Sequence, residues 1–91
     1  MSRRIVYLPS AQFHLDDIYD LIAEDSPRAA MGFVEDIRRR CEPLIDFPRM
    51  GRSLDGVLYR ISLDRRVSVY YAFDERTVWI SAVRYLGQRH L

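Results

Sequence analysis

The 91-residue chain contains no lysine; all fourteen of its basic residues are arginine. It has one cysteine, Cys41, and two histidines, His14 and His90. A lone thiol cannot close an internal disulfide, and these three residues lack the spacing of a metal site. No serine stands with a histidine and an acid in a local motif that would mark a nucleophilic triad. The four glycines, Gly32, Gly51, Gly56 and Gly87, are isolated, so no glycine-rich phosphate loop is present. No apolar run approaches the ~20 residues of a membrane span. The opening Met-Ser-Arg-Arg-Ile-Val-Tyr-Leu-Pro has charge but only a brief apolar stretch, unlike a secretory leader. These absences set the expectation of a cytoplasmic protein with no metal, no cofactor and no membrane contact.

What is present describes a small globular domain. Hydrophobic residues make up 48% and charged residues 30%, which argues against disorder. A chain of this length is expected to be one domain, residues 1–91, with a thin core, because it buries only about 60% of its unfolded surface. The net charge of +1 conceals a division. Residues 1–48 carry six arginines against nine acids, and residues 49–91 carry eight against four. An acidic partner or a phosphate backbone would therefore meet the second half. Arginine's planar fork grips phosphate or carboxylate through two bonds, although a biased genome also yields such a composition.

Arg3 to Leu8 reads as a strand, apolar on both sides and so expected to be central or well covered. Ser10 is the expected N-cap of a helix running to about Glu24, with Ala11, Leu15, Ile18 and Ile22 on one face. Ser26 then caps a second helix, with Pro27 at its first position. Ala30, Phe33, Val34, Ile37, Cys41, Leu44 and Ile45 carry its apolar stripe to about Asp46. Pro43 lies inside this pattern and is expected to kink or tighten the last turn. Glu35 and Arg39 are placed as an i, i+4 ion pair. Phe47-Pro48 ends the helix, and Met50-Gly51-Arg52 is a loop in which Gly51 is free to adopt positive φ.

Three period-two segments follow. Val57, Tyr59, Ile61 and Leu63 alternate with Leu58, Arg60 and Ser62. Val67, Val69, Tyr71 and Phe73 alternate with Ser68, Tyr70 and Ala72. Val78, Ile80 and Ala82 alternate with Trp79, Ser81 and Val83. Short turns at residues 63–66 and 74–76 make these an antiparallel meander. The order is β-α-α-β-β-β, an α+β fold with a helical hairpin packed on one face of a small antiparallel sheet.

Candidate chemistry concentrates in the arginines of the sheet. Cys41 lies on a core stripe and reads as packing. The acids of the first helix, Asp16, Asp17, Asp20 and Glu24, read as a solvated face. Arg60 projects from the face opposite Tyr59 and Ile61, Arg66 opens the next strand, Arg84 leaves the last one, and Arg89 and His90 follow. With Tyr70, Trp79 and Tyr85 nearby, they would form a basic, aromatic surface suited to nucleic acid or an acidic peptide. The plainer reading is that Arg60 and Arg66 keep an open sheet face or edge soluble.

The whole pattern resembles the RelE/ParE toxin superfamily. The resemblance is carried by Leu15-Asp16-Asp17-Ile18-Tyr19, by Ser26-Pro27-Arg28-Ala29-Ala30 with Phe33, and by the run from Leu44 to Arg52. The strands Leu58-Tyr59-Arg60-Ile61 and Val69-Tyr70-Tyr71-Ala72-Phe73 follow, and then Val83-Arg84-Tyr85-Leu86-Gly87-Gln88-Arg89. It implies the toxin of a type II toxin–antitoxin pair, which arrests growth unless an antitoxin binds it. The absence of lysine, the Pro-Arg-Met-Gly-Arg link and the Gly-Gln-Arg tail look like the ParE branch, whose members inhibit DNA gyrase and are not known as nucleases. Val67 also occupies the place where RelE-like nucleases carry a catalytic arginine. The implied partners are a ParD-like antitoxin and gyrase, with Arg60, Arg66, Arg84 and Arg89 as candidate partner-binding residues. Direct contact with nucleic acid stays open. The alternative is a RelE-like ribosome-dependent mRNA endonuclease, for which His90, Arg84 and Arg89 would be the working residues. A third reading is a non-toxic member that only binds its antitoxin.

Overall fold

A computed structural model describes residues 3–86 of the chain. Strand β1 (Arg4–Tyr7) leads into helices α1 (Pro9–Ala23) and α2 (Pro27–Cys41). Two 3-10 turns, Glu42–Ile45 and Pro48–Met50, connect α2 to a two-residue strand, β2 (Arg52–Ser53). Strands β3 (Tyr59–Ser62), β4 (Val67–Phe73) and β5 (Thr77–Tyr85) complete a five-stranded sheet in the order β1-β5-β4-β3-β2. The meander is antiparallel, but β1 joins β5 in parallel, with Arg4 opposite Thr77 and Tyr7 opposite Ile80. The sheet is therefore mixed, and β1 is an edge strand: of the two readings its apolar sequence offered, central or well covered, the central one does not hold, while Ile5 and Tyr7 still pack against the core.

The helices cover one face. Ala11, Leu15 and Ile18 of α1 and Ile37 and Cys41 of α2 are buried against Val67, Val69, Tyr71, Val78, Ile80 and Val83. Burial pushes the Cys41 thiol up to about 11, and Tyr7 beside it is raised as well, chiefly by burial. A thiol held protonated in this way serves as packing.

Helix starts and stops follow local chemistry. Ser26 accepts a hydrogen bond from the Ala29 N–H at 3.1 Å and caps α2 as expected. Ser10 does not cap α1. That helix begins at Pro9, whose missing N–H costs nothing there. The Leu8 N–H is used by the sheet, bonding the Ile80 carbonyl at 2.9 Å. Helix α2 stops at Cys41, short of Asp46, because Pro43 has no N–H to continue the ladder and its ring crowds the preceding turn. The chain tightens into the 3-10 turn Glu42–Ile45, with the Glu42 N–H bonding the Arg39 carbonyl. The 3-10 turn that follows still delivers Leu44 fully buried to the core. Asp36 pairs with Arg39 and, at 2.9 Å, with Arg40, in place of the Glu35–Arg39 pair that the spacing offered.

The strand boundaries also shift. Val57 lies outside β3 and is 70% exposed. Three aspartates start the turns: Asp55, Asp64 and Asp74 each accept from the N–H groups two and three residues on. This is the Asx-turn arrangement. For Asp55 these bonds lower the carboxyl below its usual range.

Candidate functional site

An irregularity in β5 decides where the sheet arginines point. Tyr70 lies opposite Ala82, but Tyr71 lies opposite Ile80, so Ser81 is an extra residue in β5. Such a bulge re-phases the alternation of the strand. Strict alternation put Ala82 in the core with Ile80 and turned Val83 outward. Instead Val83 is 2% exposed and belongs to the core, while Ala82 faces the other way. The same shift carries Arg84 off the core face and places it opposite Ser68.

Arg60 reaches that outer face from β3, opposite Tyr70. Arg65 and Arg66 are presented by the Asp64 turn, whose carboxylate holds the Arg66 and Val67 amides at 2.7 and 3.0 Å. The Arg66 carbonyl accepts the Leu86 N–H at 2.8 Å, which ties this turn to the end of β5.

Helix α1 closes one side. Strand β1 pairs with β5 only as far as Ile80, which leaves the next stretch of the β5 edge vacant. Ser10 donates its hydroxyl to the Ser81 carbonyl at 2.6 Å, and the Val83 N–H donates to His14 Nδ1 at 3.2 Å. Because Nδ1 accepts, the proton of the neutral ring sits on Nε2, which remains a donor.

The result is a cleft of about 710 Å³ that includes Arg60, Arg65, Arg66, Arg84, Tyr70 and His14 in its lining. Asp17 is the single carboxylate among the described lining residues. The structure thus brings together Arg60, Arg66 and Arg84 as the sequence grouped them. Arg89 and His90 lie outside the described residues. Of the three aromatics, Tyr70 lines the cleft, whereas Tyr85 packs its ring on Phe33 at 5.1 Å and only borders it. Trp79 lies further along β5, between Val6 and Ala72.

Five arginines outside the cleft are engaged by the protein itself, whereas Arg4, Arg28, Arg52 and Arg76, scattered outside it, have no such partners among the described residues. Arg3 bonds the Asp74 carbonyl and lies near the Phe73 ring. Arg38 bonds Gln12 and covers Tyr7, Arg39 and Arg40 pair with Asp36, and Arg49 covers Phe73. Among the described residues, Arg60, Arg65, Arg66 and Arg84 have no ion-pair, side-chain hydrogen-bond or aromatic-ring partner. Their forks are available to a ligand.

A model of the family described as the ParE toxin of the type II toxin–antitoxin system parDE matches residues 5–89. The chain belongs to the ParE toxin family. The chromosomal ParDE TA system from P. aeruginosa has a similar structure, with a TM-score of 0.78 at 22% sequence identity, covering 94% of this chain and 97% of that one. At that identity the likeness establishes the fold. No curated protein matches the chain significantly. The ParE match takes in all four cleft arginines and Arg89 but not His90. Sequence reasoning missed Arg65, His14 and Asp17 as parts of the cleft. Arg65 was legible as the neighbour of Arg66 in an Asp-Arg-Arg turn; the other two depend on where α1 docks.

Proposed function

We propose that this ParE family member inhibits DNA gyrase and arrests growth in the cytoplasm until a ParD-like antitoxin neutralises it. The observation that carries this reading is the ParE family match over residues 5–89. Arg60, Arg66 and Arg84, with Arg89 from outside the described residues, form the surface that meets an acidic antitoxin segment. Guanidinium forks without carboxylate partners favour such a contact through charge-assisted, paired hydrogen bonds.

The deciding experiment is a supercoiling assay with purified gyrase beside a ribosome-dependent mRNA cleavage assay. Lost supercoiling or trapped cleaved DNA, with intact mRNA, supports the proposal. Cut mRNA with normal supercoiling overturns it and makes Arg84 and His90 the first residues to mutate. No effect in either assay and no growth arrest would mark a non-toxic antitoxin-binding member. The antitoxin surface is tested separately by titration calorimetry. The triple variant Arg60→Gln, Arg66→Gln, Arg84→Gln should bind the antitoxin more weakly and with a shallower salt dependence. Unchanged values for both would remove the arginines from the interface.

A further inference from the structure

We infer that the arginine cleft is also a binding site for the sugar-phosphate backbone of single-stranded nucleic acid, with Tyr70 as its base-stacking surface. The inference does not depend on gyrase being the target.

Four features support a polynucleotide. First, the cations are spread out instead of clustered around one point. Arg60 and Arg84 stand on β3 and β5 with β4 between them, about 10 Å apart across the sheet, and are offset by two residues in register. Arg65 and Arg66 extend the row from the turn before β4. A ligand with a charge on every repeat can meet several of these groups at once, which one isolated phosphate cannot. Second, the lining is rich in donors: beside the guanidiniums it has the Nε2–H of His14 and the Ser68 hydroxyl. Third, Tyr70 sits within the row, opposite Arg60 on one side and Ala82 on the other, and is half-buried. Cations along a groove with an aromatic face among them are the arrangement that binds single strands without sequence preference. A purely acidic peptide has no use for the aromatic face. Fourth, the floor spans two strand spacings. A duplex, whose grooves alone are about 6–12 Å wide, is too broad to enter.

The antitoxin segment would then compete for the same arginines, so neutralisation and nucleic-acid binding exclude each other.

The test is fluorescence anisotropy of the full chain, free of antitoxin, with labelled twelve-residue oligothymidylate and oligouridylate at several salt concentrations. At least one oligonucleotide should bind, and log affinity should fall against log salt with a slope of about −2 or steeper, the value for three or more neutralised phosphates on a single strand. Arg60→Gln with Arg84→Gln should weaken binding at least tenfold and flatten that slope, and Tyr70→Ala should weaken it with the slope kept. Arg39→Gln with Arg40→Gln, on α2 outside the cleft, should leave it unchanged. The two oligonucleotides distinguish DNA from RNA as the source of the backbone. The inference is overturned if neither binds, if binding is indifferent to salt, or if the cleft variants bind as the parent does. It is equally overturned if oligoglutamate binds through the same arginines while both oligonucleotides do not. Thermal melts confirm that each variant is folded, and the salt slope of the unaltered chain tests the idea without any variant. The supercoiling assay is independent of these outcomes, so failure here leaves the gyrase reading standing.

Discussion

The hydroxyl of Tyr71 lies 2.9 Å from the amide nitrogen of Gly51, accepting its N–H, and donates in turn to the Pro48 carbonyl at 2.7 Å. Tyr71 is fully buried in the middle of β4, so one phenol pins the link between the helices and the sheet to the core. Burial raises the Tyr71 phenol above its usual range, although the Gly51 bond acts in the opposite direction. Tyr71→Phe keeps the ring and removes both bonds. It should cost about 1–3 kcal/mol, the cost of leaving a buried polar group unsatisfied. Urea unfolding measures this as a lower midpoint with an unchanged slope.

Gly51 faces the same phenol from the other side. Its φ is −75°, so the positive φ expected from its loop position is not the reason for glycine. A Cβ there would come within 2.5 Å of the Tyr71 oxygen and 2.8 Å of the Arg60 carbonyl. Gly51→Ala should therefore destabilise by about 1–3 kcal/mol through overpacking. Because one of the clashing atoms belongs to Arg60, it should also weaken antitoxin binding. Calorimetry of Gly51→Ala beside Tyr71→Phe compares the two routes to the same link.

The re-phasing of β5 gives a sharp contrast between adjacent residues. Val83→Ala should cost about 1–3 kcal/mol, since Val83 is 2% exposed in the core. Ala82→Ser should stay within about 0.5 kcal/mol, as expected for a position outside the core. Unbroken alternation would require the reverse order, so thermal denaturation of the pair checks the bulge directly.

Stability should also fall at alkaline pH. Cys41 has its folded value raised to about 11, and Tyr7 and Tyr71 are raised too. A raised acid leaves stability intact below its unfolded value and removes it as pH climbs through the folded one. For Cys41 the loss should run from about pH 8.5, the unfolded thiol, to the folded value near 11. Melting temperatures from pH 8 to 11 should decline, and Cys41→Ala should make the decline shallower.

Asp64→Ala removes two side-chain bonds to backbone amides in the turn that presents Arg65 and Arg66. The expected cost is about 1 kcal/mol. Antitoxin or oligonucleotide affinity should drop by more than this stability change explains, which binding assays well below the melting temperature would show.

The helical hairpin was legible because each helix carries a 3.6-period apolar stripe and a proline at its start. The meander was legible because Val67, Val69 and Tyr71 alternate cleanly with Ser68 and Tyr70. What escaped was set by tertiary contacts. Val78 to Val83 reads as one unbroken alternation, and nothing local marks Ser81 as the extra residue. Its carbonyl is held by Ser10, seventy-one positions away. Arg60, Arg66 and Arg84 line one cleft, although strict alternation would have buried Arg84 on the face of Ile80. The parallel seat of β1 was invisible too, because apolar residues on both sides of a short strand do not distinguish an edge from a centre.

The pairing of β1 with β5 also sets a timetable for synthesis. Arg4–Tyr7 is made before every other described element, yet its partner Thr77–Ile80 lies in β5, the last of them. Closing so long a loop is entropically slow and gains nothing until both strands exist. No nascent chain lacking β5 can shelter β1, bury Val67 and Val69 fully, or assemble the arginine cleft. The fold is thus withheld from the growing polypeptide until β5 has been made, so the cleft forms only after the last of the described strands exists.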